Sequence, residues 1–260
     1  MNVPARMCEW PDPAEVDVWE LRLDAPASAL RHLEKVISGE ERARADRFAS
    51  AADRCRYVAA HGLLRHILAG YVGLPPSEMR VERAPEGKPR LVHPGDLCFN
   101  LSHSGGIGMV AVTFAREVGI DVEAVRPLDD LEGLVGKCFS AVERTQYATI
   151  PEPSRLVTFL ETWTRKEAFL KALGEGLSRA LDSFDVTLGP GVPPRILRVV
   201  GEPGMAGRYS LRSLRPAAGF VGALAVEGTE AKIRLRGWVS PEEREPQRQV
   251  GVLAALMMLA

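Results

Sequence analysis

The sequence predicts an α+β fold in two halves of about 115 residues, each running from helices into antiparallel strands. Three observations carry this. A chain of 260 residues has room for one to two domains at roughly 150 residues each. Apolar residues make up 46% and charged residues 26%, enough to build a core and solvate it, which excludes fibrous and wholly disordered chains. Helix-period stretches then give way to strand-period stretches twice along the chain, although no residue-level repeat is visible.

The elements follow in order. Residues 15–24 (EVDVWELRLD) alternate as a strand with one phase slip, and residues 29–37 read as a short helix. Ser38-Gly-Glu-Glu41 is a capping box, in which the serine oxygen and the glutamate carboxylate each satisfy an unpaired amide. A long helix is expected from about Glu40 to Val72, studded with arginines and stopped by Gly70, Gly73 and Pro75. Glu86-Gly-Lys-Pro89 is a turn, and residues 97–102 and 107–114 are strands joined by Ser104-Gly-Gly106. The second half starts near Arg116 with a strand over 118–125 and a second capping box at Ser140-Ala-Val-Glu143. Its strongest helix spans 155–173, and strand-like runs follow at 183–188, 195–200, 208–214 and 219–226. The expected division is therefore 1–115, 116–226 and a polar, proline-bearing surface extension over 227–260.

Lys and Arg number 33 against 34 Asp and Glu, a net charge of -1, which argues against a general nucleic-acid binder. Only six of those cations are lysines, a bias that reads as codon usage but singles out each lysine for attention. Cys8, Cys55, Cys98 and Cys138 form no CxxC pair or compact disulfide pattern, so a zinc site and a secreted scaffold are not expected. The N-terminus lacks the apolar stretch of a signal peptide, and no run reaches the roughly 20 apolar residues of a membrane span. The apolar end VGVLAALMMLA is about half that length and reads as a docking tail or a disordered end. A soluble, cytoplasmic protein is expected, with no membrane and no nucleic-acid partner.

Three short segments carry chemistry. In Gly119-Ile-Asp-Val-Glu123, strand alternation puts Asp121 and Glu123 on one face, where a hard cation would relieve their repulsion; alone, the segment also reads as a solvated edge strand. In Trp163-Thr-Arg-Lys-Glu-Ala-Phe-Leu-Lys171, helical spacing puts Trp163, Glu167 and Lys171 on one face; alone, the Glu–Lys pair is also an ordinary helix stabiliser. In Phe99-Asn-Leu-Ser-His-Ser-Gly-Gly106, His103 is expected in a glycine-relieved turn where backbone amides can approach an anion, or where it simply bonds its own loop. No G-x-S-x-G elbow surrounds Ser102 or Ser104, so a serine nucleophile is not expected.

Taken in order, Phe99-Asn-Leu-Ser-His-Ser-Gly, Gly119-Ile-Asp-Val-Glu, Phe139-Ser-x-x-Glu143 and Trp163-x-x-Lys-Glu-Ala-x-x-Lys171 resemble the 4′-phosphopantetheinyl transferase superfamily. The closer resemblance is to its longer, surfactin-synthetase-associated type, with Gly87-Lys-Pro89 and Gly174-Glu-Gly-Leu-Ser178 adding to it. It extends from about Trp19 to Val226. It implies an intramolecular pseudo-dimer, monomeric, that moves the phosphopantetheine arm of coenzyme A to a serine of an apo acyl or peptidyl carrier protein. The other product would be adenosine 3′,5′-bisphosphate.

By the same resemblance Asp121, Glu123 and Glu167 would be Mg²⁺ ligands. Lys171 and His103 would contact the coenzyme A phosphates, and Lys88 would lie on the nucleotide side. Arg44 and Arg56 would lie near the 3′-phosphate, whereas Glu41 stands where relatives often carry a lysine. Glu167, directly or through water, would take the proton of the carrier serine, with Lys171 and His103 as fixed donors around the pyrophosphate. An acidic carrier needs a basic and apolar docking surface, and residues 135–147, with Lys137 and Phe139, are a candidate that also reads as an ordinary amphipathic surface helix. Polyketide, nonribosomal-peptide, fatty-acid and lysine-pathway carriers all fit. Two competing readings use the same residues: an Mg²⁺-dependent phosphohydrolase or nucleotidyl transferase, and a non-catalytic carrier-protein binder.

Overall fold

A computed structural model describes residues 9–85, 87–92, 95–175 and 179–237. Cys8, Glu86, residues 176–178 of the motif after Gly174 and the apolar C-terminal end therefore lie outside the described residues.

The first half runs β1 (Glu15–Arg22), α1 (Ala27–Val36), α2 (Gly39–Ala45), α3 (Ala51–Val72), β2 (Val81–Arg83), β3 (Pro89–Leu91), β4 (Leu97–Ser104) and β5 (Ile107–Phe114). The second runs β6 (Val118–Ala124), α4 (Leu131–Cys138), α5 (Ala141–Ala148), α6 (Glu152–Leu173), β7 (Phe184–Val186), β8 (Ile196–Val199), β9 (Tyr209–Leu214) and β10 (Phe220–Glu227), and β11 (Lys232–Gly237) follows. The expected α+β class is what the chain adopts, and the two halves share one topology. β1 pairs antiparallel with β5 and β5 with β4, as β6 pairs with β10 and β10 with β9. The ribbons β2–β3 and β7–β8 also correspond.

Each sheet packs one face on its own long helix. Leu21, Ile67, Tyr71 and Val110 lie in the first helix–sheet core, and Phe169, Phe184, Leu211 and Ala223 in the second. The other faces meet each other, with Val18, Met109, Ile120, Leu224 and Val226 in one cluster drawn from both halves. Strands covered on both faces read as continuous apolar runs, which is why the β5 sequence IGMVAVTF shows little alternation.

A residue-level correspondence invisible in the sequence appears in three dimensions. The capping boxes at Ser38/Glu41 and Ser140/Glu143 both form and lie 102 positions apart. Gly73 and Gly174, 101 positions apart, end α3 and α6 in the left-handed conformation. Between them Arg65 pairs with Glu41 and Lys166 with Glu143, each at 2.7 Å and each largely buried. The cation of the pair differs between the halves, Arg65 in one and Lys166 in the other.

Three expectations are corrected. The long helix over 40–72 is two helices, because Ser50 accepts a hydrogen bond from the Asp53 N–H and starts α3 afresh after a five-residue break. Residues 135–147 are not one surface helix either: the chain breaks between α4 and α5, and Phe139 is fully buried, stacked 5.5 Å from Phe159. Lys137, Val142 and Arg144 remain exposed there. Part of the segment expected to be a surface extension is β11, which runs parallel to β1 at the sheet edge. Its alternation of Ile233 and Leu235 with Arg234 and Arg236 was masked by charge, yet those arginines are bound to Asp17, a fully buried carboxylate of β1. Among the described residues no helix is long and apolar enough to cross a membrane.

Candidate active site

The site grows from the line where β4 of the first half meets β6 of the second. Alternate residues of β4 project to one side. Asn100 accepts a hydrogen bond from the Ile120 N–H at 2.9 Å, Ser102 donates to Asp121 at 2.8 Å, and Ser104 donates to Glu123 at 2.8 Å. Ser104 also accepts from the Ala124 N–H. The two carboxylates of β6 are thus held by the opposite half, and neither Ser102 nor Ser104 was assigned this role from sequence. The period-two pattern Asn100, Ser102, Ser104 within a strand was the signal.

α6 brings the third acid and the lysine. It packs against β6 at Gly119, where a Cβ atom would stand 2.1 Å from the Ala168 carbonyl oxygen and 2.4 Å from the Ala172 nitrogen. Only glycine permits that approach. Lys171 consequently reaches across: its ammonium donates to Asp121 Oδ1 at 2.6 Å, to Ser102 Oγ at 3.1 Å and to the Ile120 carbonyl at 3.3 Å.

The three acids influence one another. Burial pushes the Glu167 carboxyl above its ordinary value and the Asp121 charge adds to this; burial likewise raises Glu123, against the hydrogen bond from Ser104 and with the Asp121 charge. Asp121 Oδ2 is buried without a hydrogen-bond partner among the described residues. An orphaned carboxylate oxygen beside two further acids is a donor set that suits a hard cation. Among the described residues, however, no three such side chains stand close enough together to form a metal site as placed, and the Lys171 ammonium rests on Asp121.

Beside this cluster opens a cavity of about 1340 Å³, reaching from α2 and the start of β3 to the C-terminal end of α6. Its wall includes Arg44, Tyr57, Lys88, His103, Lys171 and Gly174. Lys171 therefore touches both cavity and acids. His103 lies within β4, opposite Gly108, and the turn expected around it begins two residues later at Gly105-Gly106. Desolvation at the wall holds its imidazole below the ordinary value, and His61, Lys171 and Arg44 push the same way. Arg56 stands elsewhere: it pairs with Asp24 at 2.8 Å and does not line the cavity. Lys88 lines the cavity, but its buried ammonium is bound to Glu117, Val118 and Ala172. Glu41 is a capping and ion-pairing residue held by Arg65 and His61.

The acids and Lys171 of one half thus adjoin a large cavity walled by residues of both halves, an arrangement suited to an enzyme's active site. A family model described as the 4′-phosphopantetheinyl transferase superfamily matches residues 117–218, and one described as 4′-phosphopantetheinyl transferase, N-terminal, matches residues 24–115. The chain is 37% identical over 218 residues to the 4′-phosphopantetheinyl transferase HetI of Nostoc sp., an alignment covering 82% of this chain and 88% of that one. It is 30% identical to the 4′-phosphopantetheinyl transferase Sfp of Bacillus subtilis, over 66% of this chain and 76% of that one. Among solved structures, the Chronobacterium ammoniagenes ACPS-CoA complex matches with a TM-score of 0.34 at 18% identity, covering 43% of this chain and 96% of that one. The chain belongs to the 4′-phosphopantetheinyl transferase superfamily.

Proposed function

We propose that the protein carries the phosphopantetheine arm of coenzyme A to a serine of an acyl or peptidyl carrier protein, in an Mg²⁺-dependent reaction that releases adenosine 3′,5′-bisphosphate. The observation that carries this is the position of Lys171, at the end of the cavity and bonded to Asp121. The cavity, walled by Arg44, His103 and Lys171, would take coenzyme A with these side chains toward its phosphates. Arg56 and the Lys88 ammonium are committed to protein partners and are left out of this ligand set.

Asp121, Glu123 and Glu167 would hold Mg²⁺, which when bound neutralises charge on the pyrophosphate oxygens. The chain's own residues do the rest. Lys171 and His103 fix the phosphate oxygens; the anionic pyrophosphate beside His103 works against the desolvation that lowers its pKa and favours the protonated, donating imidazole. Glu167 accepts the proton of the carrier serine, directly or through water. The serine oxygen bonds to the phosphorus bearing the pantetheine, the bridging P–O bond breaks, and the nucleotide leaves with that electron pair.

The test is incubation with coenzyme A, Mg²⁺ and a panel of apo carrier domains, read by intact mass. A gain of about 340 Da, the size of the group transferred in the covalent step, is expected on at least one carrier. No adduct on any carrier, or metal-dependent release of phosphate without a carrier, refutes the assignment.

A further inference from the structure

The ammonium of Lys88 has three acceptors within bonding distance, and all are protein atoms. It donates to Glu117 Oε2 at 2.6 Å, to the Val118 carbonyl at 3.0 Å and to the Ala172 carbonyl at 2.9 Å. An ammonium has three N–H donors, so none is left over for a ligand. The side chain is 5% exposed, and Glu117 is itself held by Arg90 at 2.8 Å. The acceptors are telling. Val118 begins β6, three residues before Asp121, and Ala172 lies in the last turn of α6, one residue after Lys171. Carbonyls at a helix C-terminus lack intrahelical partners and carry partial negative charge, so a buried cation there fixes the helix end.

We propose that Lys88 is a positioning residue: from the ribbon of the first half it clamps the end of α6 to the start of β6, and so sets the reach of Lys171 to Asp121. This rests on the reading of the site given above, but departs from a direct contact between Lys88 and the nucleotide. Gly119 allows α6 and β6 to touch; Lys88 fixes their relative slide at the same place, and its aliphatic chain packs beside Gly174.

The test uses Lys88→Met, Glu117→Gln and the double variant, none of which removes a proposed ligand contact. Calorimetry with adenosine 3′,5′-bisphosphate should give a Kd within about threefold of wild type for all three, since no phosphate contact is lost. The kcat for carrier modification should fall on the order of 100-fold in Lys88→Met at an unchanged KM for coenzyme A, as expected when a reacting group is displaced by about 1 Å. Glu117→Gln should show a smaller fall of the same kind, and the double variant should be no worse than Lys88→Met, because the pair acts as a unit. If Lys88→Met does not fold, Glu117→Gln carries the same comparison alone. A Kd weakened about 10- to 100-fold would place the ammonium on the phosphates and overturn the proposal. An unchanged kcat per folded molecule would reduce Lys88 to a stability bridge and overturn it equally. Absence of any binding of coenzyme A to the wild-type chain would strike the functional reading itself, and the role of Lys88 would fall with it.

Discussion

Lys166 and Glu143 stand 2.7 Å apart with side-chain exposures of 0% and 1%, a charge pair sealed beneath the helix that carries Glu167 and Lys171. Lys166 also donates to the Leu181 and Phe184 carbonyls, and its ammonium sits 4.5 Å from the centre of the Phe184 ring. Burial pushes its pKa down and Glu143 opposes that. Removing one member strands the other's charge in the core, so Lys166→Met should cost about 3–5 kcal/mol in urea denaturation. Adding Glu143→Gln should recover part of the loss, since the stranded charge goes.

Glu41 supplies a pH signature in the other half. Burial alone would raise its carboxyl, but hydrogen bonds from His61, the Ser38 N–H and Arg65 outweigh it and bring the pKa to about 2. A folded-state pKa below the unfolded one gives stability that is complete above the unfolded value of about 4.5 and lost as pH falls through about 2. The contribution is about 3 kcal/mol at neutral pH. Urea denaturation should weaken over that window in wild type, and Glu41→Gln should flatten the dependence.

Gly119→Ala should be among the most damaging small changes in the molecule. The added methyl meets the Ala168 and Ala172 backbone, which has no flexible end to give way. Overpacking of this kind costs roughly 1–3 kcal/mol. The displaced α6 should also lower carrier modification, measurable below the melting point.

Metal removal provides a direct check on the acids. Chelation should abolish carrier modification and Mg²⁺ should restore it. Asp121→Asn should raise the Mg²⁺ concentration needed for half-maximal rate and lower kcat by about 10²–10³-fold, since it removes charge from the oxygen that lacks a protein partner.

The edge strand β11 should matter through one carboxylate. Asp17 is fully buried and is met by Arg234, Arg236 and the Tyr71 hydroxyl. Arg234→Ala with Arg236→Ala should destabilise by several kcal/mol, about that of breaking a buried pair. Asp17→Asn should suppress much of the loss, a rescue visible as a recovered melting temperature.

The sequence announced its local structure well. Both capping boxes, the strands on either side of Gly105-Gly106 and the acids on one face of β6 rest on short-range patterns, and all are present. Long-range pairings were not legible. The correspondence of Arg65–Glu41 with Lys166–Glu143 depends on partners more than 20 residues apart, and the Lys88 ammonium finds Ala172 across 84 positions. The break before α3 was missed because helix-forming residues continue through it and only the serine cap marks it. Lys137 and Arg144 flank Phe139 in sequence and suggest a surface segment, while Tyr147 and Phe159, which pack on its ring, lie in α5 and α6.

The shared offset has a final consequence. At spacings of 101 and 102, Trp19, Leu21 and His66 occupy in the first half the places of Asp121, Glu123 and Glu167 in the second. Where β6 turns its outer edge toward β4, the matching edge of β1 is covered by β11. The two halves thus divide the labour: one carries the acids, while the other has different residues at those places and contributes most of the wall that faces them. A symmetric assembly of two identical copies must satisfy both demands with every residue. Here the wall and the acids are different residues, coupled where Asn100, Ser102 and Ser104 of one half reach β6 of the other.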